Sequence, residues 1–279
     1  TYMNSVLKTF LLLGILSVIV ITMGRIFGGT AGMYMAFGFA ILLNGGMYFF
    51  SEKLALKMSK AVPMDKNKYP ELYQMVEDLA RKMKIPMPKL YITPDQQANA
   101  FATGRGPGHA SVAVTEGILQ VLSKNELRGV LAHELAHVKN RDVLIATIAA
   151  VLASVISFLA NMSLFSGGQS GDEEGTNPIL MIGAALLVPI AASLIQMAIS
   201  RQREFGADHT GAKTIGSGQE LAKALVAIHD TARRHPKESN PALSSLYIGD
   251  PTGGLGGKMM KLLSTHPPVE ERVKRLQNI

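Results

Sequence analysis

Four stretches without a single Asp, Glu, Lys, Arg or His constrain this chain more than any other feature: residues 9–24, 26–51, 143–171 and 175–200. A helix needs about 20 apolar residues to cross the roughly 30 Å hydrocarbon core of a bilayer. The last three runs are long enough. The first is shorter, but Lys8 and Arg25 at its ends can snorkel towards the headgroups and lengthen its effective span. Buried core helices are the soluble alternative, yet four all-apolar helices would leave two modest soluble segments without amphipathic faces to meet water. No cleavage pattern follows the first run, so it reads as an uncleaved anchor. With 47% hydrophobic and 18% charged residues, the composition agrees with four transmembrane helices.

The runs divide the chain into two transmembrane helices (1–51), a soluble segment (52–142), a transmembrane hairpin (143–200) and a second soluble segment (201–279). Lys53, Lys57 and Lys60 follow the second run, Lys139 and Arg141 precede the third, and Arg201 and Arg203 follow the fourth. By the positive-inside rule both termini and both soluble segments face the cytoplasm. The net charge of +7 is spread thinly over these segments, without a basic run or an aromatic-interleaved stripe, which argues against nucleic-acid binding. No ionisable residue lies well inside a run, so the usual mark of an ion path or transporter is missing.

In the first soluble segment, residues 69–85 put Leu72, Met75, Val76, Leu79 and Met83 on one helical face, and Pro86 ends the run. Short strands are expected at 89–93, 99–104 and 110–115, separated by Pro94-Asp95 and Gly106-Pro107-Gly108 turns. Ser123 and Glu126 form a capping box that opens a further helix. The second segment predicts helices at 201–215, 219–233 and 269–277, with a flexible glycine cluster at 253–257. The fold class is α+β: a mainly helical, zincin-like catalytic domain with a small β-sheet, plus four transmembrane helices.

The capped helix holds His133-Glu134-Leu135-Ala136-His137. Residues four apart stand one above the other on a helix, so both imidazoles can reach one ion, with Glu134 beside it to hold and deprotonate a bound water. With no cysteine in the chain, a metal must sit on His, Asp or Glu, and an open His, His, carboxylate site suits Zn²⁺ best, one per chain. Asp142, Glu204, Asp208, His209 and His266 are the available third ligands. Asp142 lies about 140° round the helix from His137 and is expected to face elsewhere. Glu204 and Asp208 repeat the four-residue spacing, so one can ligate while the other braces a ligand histidine, and Glu204 is favoured as the ligand and Asp208 as the brace.

HExxH, followed after a membrane hairpin by SRQREFGAD (200–208), with NAFATG (99–104) upstream and THPP (265–268) near the end, resembles the HtpX-type membrane zinc metalloproteases of the M48 peptidase group. The resemblance covers essentially the whole chain. It implies that His133, His137 and Glu204 bind zinc and that Glu134 is catalytic. It also implies an endoprotease of a bacterial cytoplasmic (inner) membrane that degrades unfolded or misfolded membrane proteins from the cytoplasmic side, beside other quality-control proteases.

Other residues are softer. Asn99, Ala100 and Phe101 resemble an edge strand that aligns an extended substrate by main-chain hydrogen bonds. His266 is a candidate to stabilise the developing oxyanion or to approach the zinc, with Arg272 a weaker one. His109, His229 and His235 read as bystanders. The expected function is a membrane-bound zinc endopeptidase. A prenyl-protein protease and a non-catalytic zinc-binding adaptor are the alternatives; four spans are few for the first, and an intact Glu134 argues against the second.

Overall fold

The computed structural model describes residues 2–23, 29–166, 178–234, 248 and 266–279. Four long helices carry the apolar runs: α1 (Tyr2–Met23), α2 (Gly29–Met58), α6 (Asp142–Ser166) and α7 (Pro178–Ile215). They pack on one another through Leu16, Val20, Ala36, Ala40, Ala153, Ile156, Leu159 and Ala192, where frequent alanines let backbones come close. Phe10, Leu11, Leu42, Phe50, Leu187 and Ile190 point outwards and are exposed. A bundle apolar both inside and outside is built for a solvent other than water. By length and composition α2 and residues 142–160 of α6 are each able to cross a membrane, and Leu7–Met23 is a shorter apolar helix.

α2 and α7 do not stop where their uncharged runs stop. The segment boundaries drawn at 51/52 and 200/201 fall inside continuous helices, and the helix expected at 201–215 is the far end of α7. The physical reason is that a helix satisfies its backbone internally and so can pass from lipid to water without a break.

The rest follows in chain order: β1 (Val62–Pro63), α3 (Pro70–Met83), β2 (Lys89–Thr93), β3 (Ala100–Thr103), β4 (Ser111–Thr115), α4 (Glu116–Val121), α5 (Lys124–Asn140), α8 (Gln219–Arg234) and α9 (Val269–Leu276). The three expected strands are present, and a two-residue β1 adds a fourth. The sheet order is β1-β2-β4-β3, with β2 and β4 parallel and the other pairs antiparallel, so β3 is an edge strand. One face of the sheet contributes Leu90, Ala100, Val112 and Val114 to a core shared with α3, α5 and α8. The other face presents Phe101 and Ala113 to Ala55 of α2. Ser111 Oγ donates to Glu52 Oε1 at 2.8 Å, a second tie between the sheet and that helix. The glycine cluster at 253–257 and His235 lie outside the described residues.

Candidate metal centre

α5 begins with the expected capping box: Ser123 Oγ accepts from the Glu126 N–H, and Glu126 Oε2 accepts from the Ser123 N–H at 2.8 Å. The middle of α5 is buried from Val130 to Ala136, because α3 and α8 pack on one side and α7 on another. The approach of α7 is very close. A Cβ on Gly211 would stand 3.0 Å from the His133 nitrogen, so glycine there lets α7 lie against α5 where the ligands must meet.

His133 Nε2 and His137 Nε2 lie 3.1 Å apart. Glu204 Oε1 is 3.4 Å from His137 Nε2, and Glu204 Oε2 is 3.6 Å from His133 Nε2. The other nitrogen of each ring is held by a carboxylate, His133 Nδ1 by Asp208 Oδ1 at 2.9 Å and His137 Nδ1 by Asp142 Oδ2 at 2.7 Å. A neutral imidazole that donates from Nδ1 carries its lone pair on Nε2. Two lone pairs and a carboxylate therefore converge on one point, which repels itself unless a cation sits there. Ligands at about 2.0–2.1 Å from a tetrahedral ion stand roughly 3.3 Å from one another, close to the separations seen. His133, His137 and Glu204 could together hold one metal ion, and their ligand atoms all lie within 4.8 Å of each other.

The carboxylates behind the histidines are held in turn by buried arginines. Arg272 donates from Nε to Asp208 Oδ2 at 2.9 Å and from Nη2 to Asp208 Oδ1 at 2.7 Å, while its Nη1 reaches the Ile248 carbonyl at 2.7 Å. The same Nη1 stands 3.3 Å from Glu204 Oε2. Arg203 Nε pairs with Asp142 Oδ1 at 2.9 Å, both side chains nearly inaccessible. Arg203 was counted among the flanking cations of the fourth run, but it is an interior ion-pair member.

Asp142 corrects the reading that it faces away. The 140° rotation assumed an unbroken helix, but α5 ends at Arg141, which takes the left-handed conformation (φ 56°) and donates its N–H to the His137 and Val138 carbonyls. The chain turns, α6 starts at Asp142, and the carboxylate swings back onto His137. Arg272, weighed as an oxyanion donor, spends its N–H groups on Asp208, Ile248 and Glu204.

Glu134 is buried beside His133 and accepts from the Ala102 N–H of β3 at 2.8 Å. His266 lies just ahead of α9 with Nδ1 3.4 Å from Glu204 Oε2, and it lines the same cavity as the cluster. Phe101 and Ala102 line that cavity, whereas Ala100 is wholly buried in the core. The Asn99 side chain accepts from the Ile248 N–H at 3.0 Å, so it fastens the segment whose carbonyl receives Arg272. His109 is exposed in a short turn and His229 sits on α8, neither near the cluster. Ile248 carried no signal in the sequence, and the roles of Ala102 and Arg203 were not readable from the motifs that contain them, since each acts through its backbone or through a partner distant in the chain.

Charge follows this geometry. Burial pushes the Glu134 carboxyl up, with His133 and His137 only partly opposing it. Burial works against protonating His133 and His137, but hydrogen bonds to Asp208 and Asp142, and to Glu204, outweigh it and raise both, His137 strongly. Burial also disfavours the Glu204 and Asp208 anions, yet the cationic surroundings, Arg272 foremost for Asp208 and His266 with Arg272 for Glu204, hold both below the usual carboxylate range.

Residues 66–279, including all of these groups, match the description of peptidase family M48. The chain belongs to peptidase family M48. The peptidase is 51% identical over 266 residues to a "Protease HtpX homolog" of Aquifex aeolicus, covering 92% of this chain and 87% of that one. It is 48% identical over 275 residues to a protein of the same description from Burkholderia ambifaria, and 46% over 276 residues to one from Ralstonia pickettii, with 98% of this chain and 96% of each relative covered. The crystal structure of S. mikatae Ste24p shares the fold, with a TM-score of 0.61 at 19% identity, over 99% of this chain and 66% of that one. Family and site agree that the chain is a metalloprotease.

Proposed function

We propose that this peptidase is a zinc-dependent endopeptidase with four membrane spans, set in the cytoplasmic membrane of a bacterium with its catalytic segments and termini on the cytoplasmic side. The observation that carries the reaction is the position of Glu134, buried beside the convergent His133, His137 and Glu204 and hydrogen-bonded to the edge strand that faces the cleft. A bound Zn²⁺ ion would supply Lewis acidity, polarising the scissile carbonyl and acidifying a water. Glu134 holds that water and takes its proton as it attacks, then passes the proton to the departing amine. His266, at the cavity wall beside Glu204, serves the developing oxyanion. Phe101 and Ala102 of β3 line the cavity, so an extended substrate would lie along this part of the strand.

Exposed apolar side chains on α1, α2, α6 and α7 support the membrane reading. Lys53, Lys57, Lys60, Lys139, Arg141 and Arg201 support the orientation. A site at the bilayer surface favours unfolded or misfolded membrane proteins as substrates, in concert with other quality-control proteases. The test compares the full chain with Glu134→Gln in detergent, loaded with zinc, on an unfolded membrane protein. Equal metal content with at least a thousandfold loss of cleavage is expected. If both forms bind metal and neither cuts, the reading gives way to a non-catalytic zinc-binding adaptor.

A further inference from the structure

The metal centre stands at one end of a cavity of about 660 Å³ that runs away from the sheet, between α6 and α7, into the apolar bundle. Beyond the cluster its walls are Thr147 and Ala150 of α6 and Ser193, Gln196 and Ser200 of α7. Gln196, Ser200 and Glu204 follow at four-residue steps along α7, and all three line the cavity. Gln196 is two turns from Glu204, about 12 Å along the axis at 1.5 Å per residue. Two of the hydroxyls nearby are spent within their own helices, Thr147 Oγ1 on the Val143 carbonyl and Ser193 Oγ on the Pro189 carbonyl. The Gln196 carboxamide is half-buried in this wall and has no hydrogen bond among the described residues.

We propose that this inner half of the cavity binds the membrane-side flank of a substrate in extended form, and that Gln196 is the residue that recognises its main chain. The inference rests on the proteolytic reading and names the part of the substrate that reading leaves open. A peptide drawn out of helical form at bilayer depth must have its N–H and C=O groups satisfied by protein, because lipid offers nothing. A carboxamide is suited to that task, since it both donates and accepts, as a peptide group does. Its 12 Å from Glu204 corresponds to three or four residues of extended chain at about 3.3 Å each, and Ala146, Ala149 and Ala150 on the facing helix leave room for side chains of any shape.

The experiment uses the full chain, zinc-loaded, in proteoliposomes, with a single-span substrate whose cleavage point has first been located with the unaltered protein. A photoreactive benzoylphenylalanine replaces Ser193, one turn from Gln196 on the same cavity wall, in the Glu134→Gln background, and the exposed Leu187 in a control. The expected result is a cross-link from position 193 to the substrate about three to seven residues on the lipid side of the cleavage point, with none from 187. In parallel, Gln196→Leu is expected to lower kcat/KM on this substrate tenfold or more, mainly through KM, with metal content kept. Cross-links to lipid alone, or none, overturn the inference, as does unchanged kcat/KM in Gln196→Leu. The proteolytic reading fails separately, if the unaltered zinc-loaded protein cuts no substrate at all.

Discussion

His133 and His137 carry one arrangement twice over. Each ring is fixed at Nδ1 by an aspartate, and each aspartate is fixed by a buried arginine, Asp208 by Arg272 and Asp142 by Arg203. Partners of this kind orient the ring and raise its basicity, and their loss typically costs about 10–100-fold in metal affinity. Asp142→Asn is therefore expected to weaken zinc binding by that factor without removing a ligand, read by competition with a chromogenic chelator. An unchanged affinity would mean that the 2.7 Å contact does not orient His137. A pH dependence follows from the same contacts. In the metal-free protein burial opposes the charged form of His137, but Asp142 and Glu204 raise it well above the ordinary 6.5. Metal needs the neutral ring, so a proton must leave below the raised value and none need leave above it. Affinity is expected to climb about tenfold per pH unit for each proton displaced, then to level off above the usual histidine range, and a titration between about pH 6 and pH 9 would show it. Of this site, the His133, His137 and Glu204 set and the Asp208 contact were legible from four-residue spacing. Asp142 was not, because one left-handed residue undoes any angle counted along the chain.

Helices and strands were legible where a local signal sets them. The apolar face of α3, the Ser123 capping box and the three main strands come from patterns within a few residues, and the structure has them. Contacts between elements are another matter. No pattern along the chain announces that α7 must lie against α5 at Gly211, since that closeness depends on residues 78 positions apart, Gly211 and His133. Gly211→Ala is a direct test. The added methyl would meet the His133 nitrogen at 3.0 Å and the Ala132 carbonyl carbon and oxygen at 3.1 Å, so one helix must shift. A loss of about 1–3 kcal/mol in stability is expected, seen as a lower thermal midpoint in detergent, together with weaker metal binding as Glu204 moves with its helix. A variant matching the parent in both would show that the packing has slack there.

At the scale of the molecule, two chain segments separated by a hairpin build one site: α5 supplies the two histidines, and α7 the Glu204 carboxylate. That assembly follows from the sequence only through the chemistry, because a metal with two ligands on one segment asks for a third elsewhere. What charge patterning does not show is that α2 and α7 run on past residues 51 and 200, since a helix has no reason to end when its surroundings change. α7 is one continuous helix of 38 residues, with Pro189 inside it, apolar at one end and bearing Glu204 and Asp208 at the other. The rotational phase of the ligands is thus geared to the face the same helix turns towards the bundle. Adding a single alanine between Ser200 and Arg201 would turn everything beyond it by about 100°, carrying Glu204 off the histidines while leaving every side chain of the site intact. Zinc content near zero in a folded protein is the expected reading. A soluble fragment cut at the bilayer surface inherits the opposite problem: it keeps the ligands but loses the shaft that sets their angle.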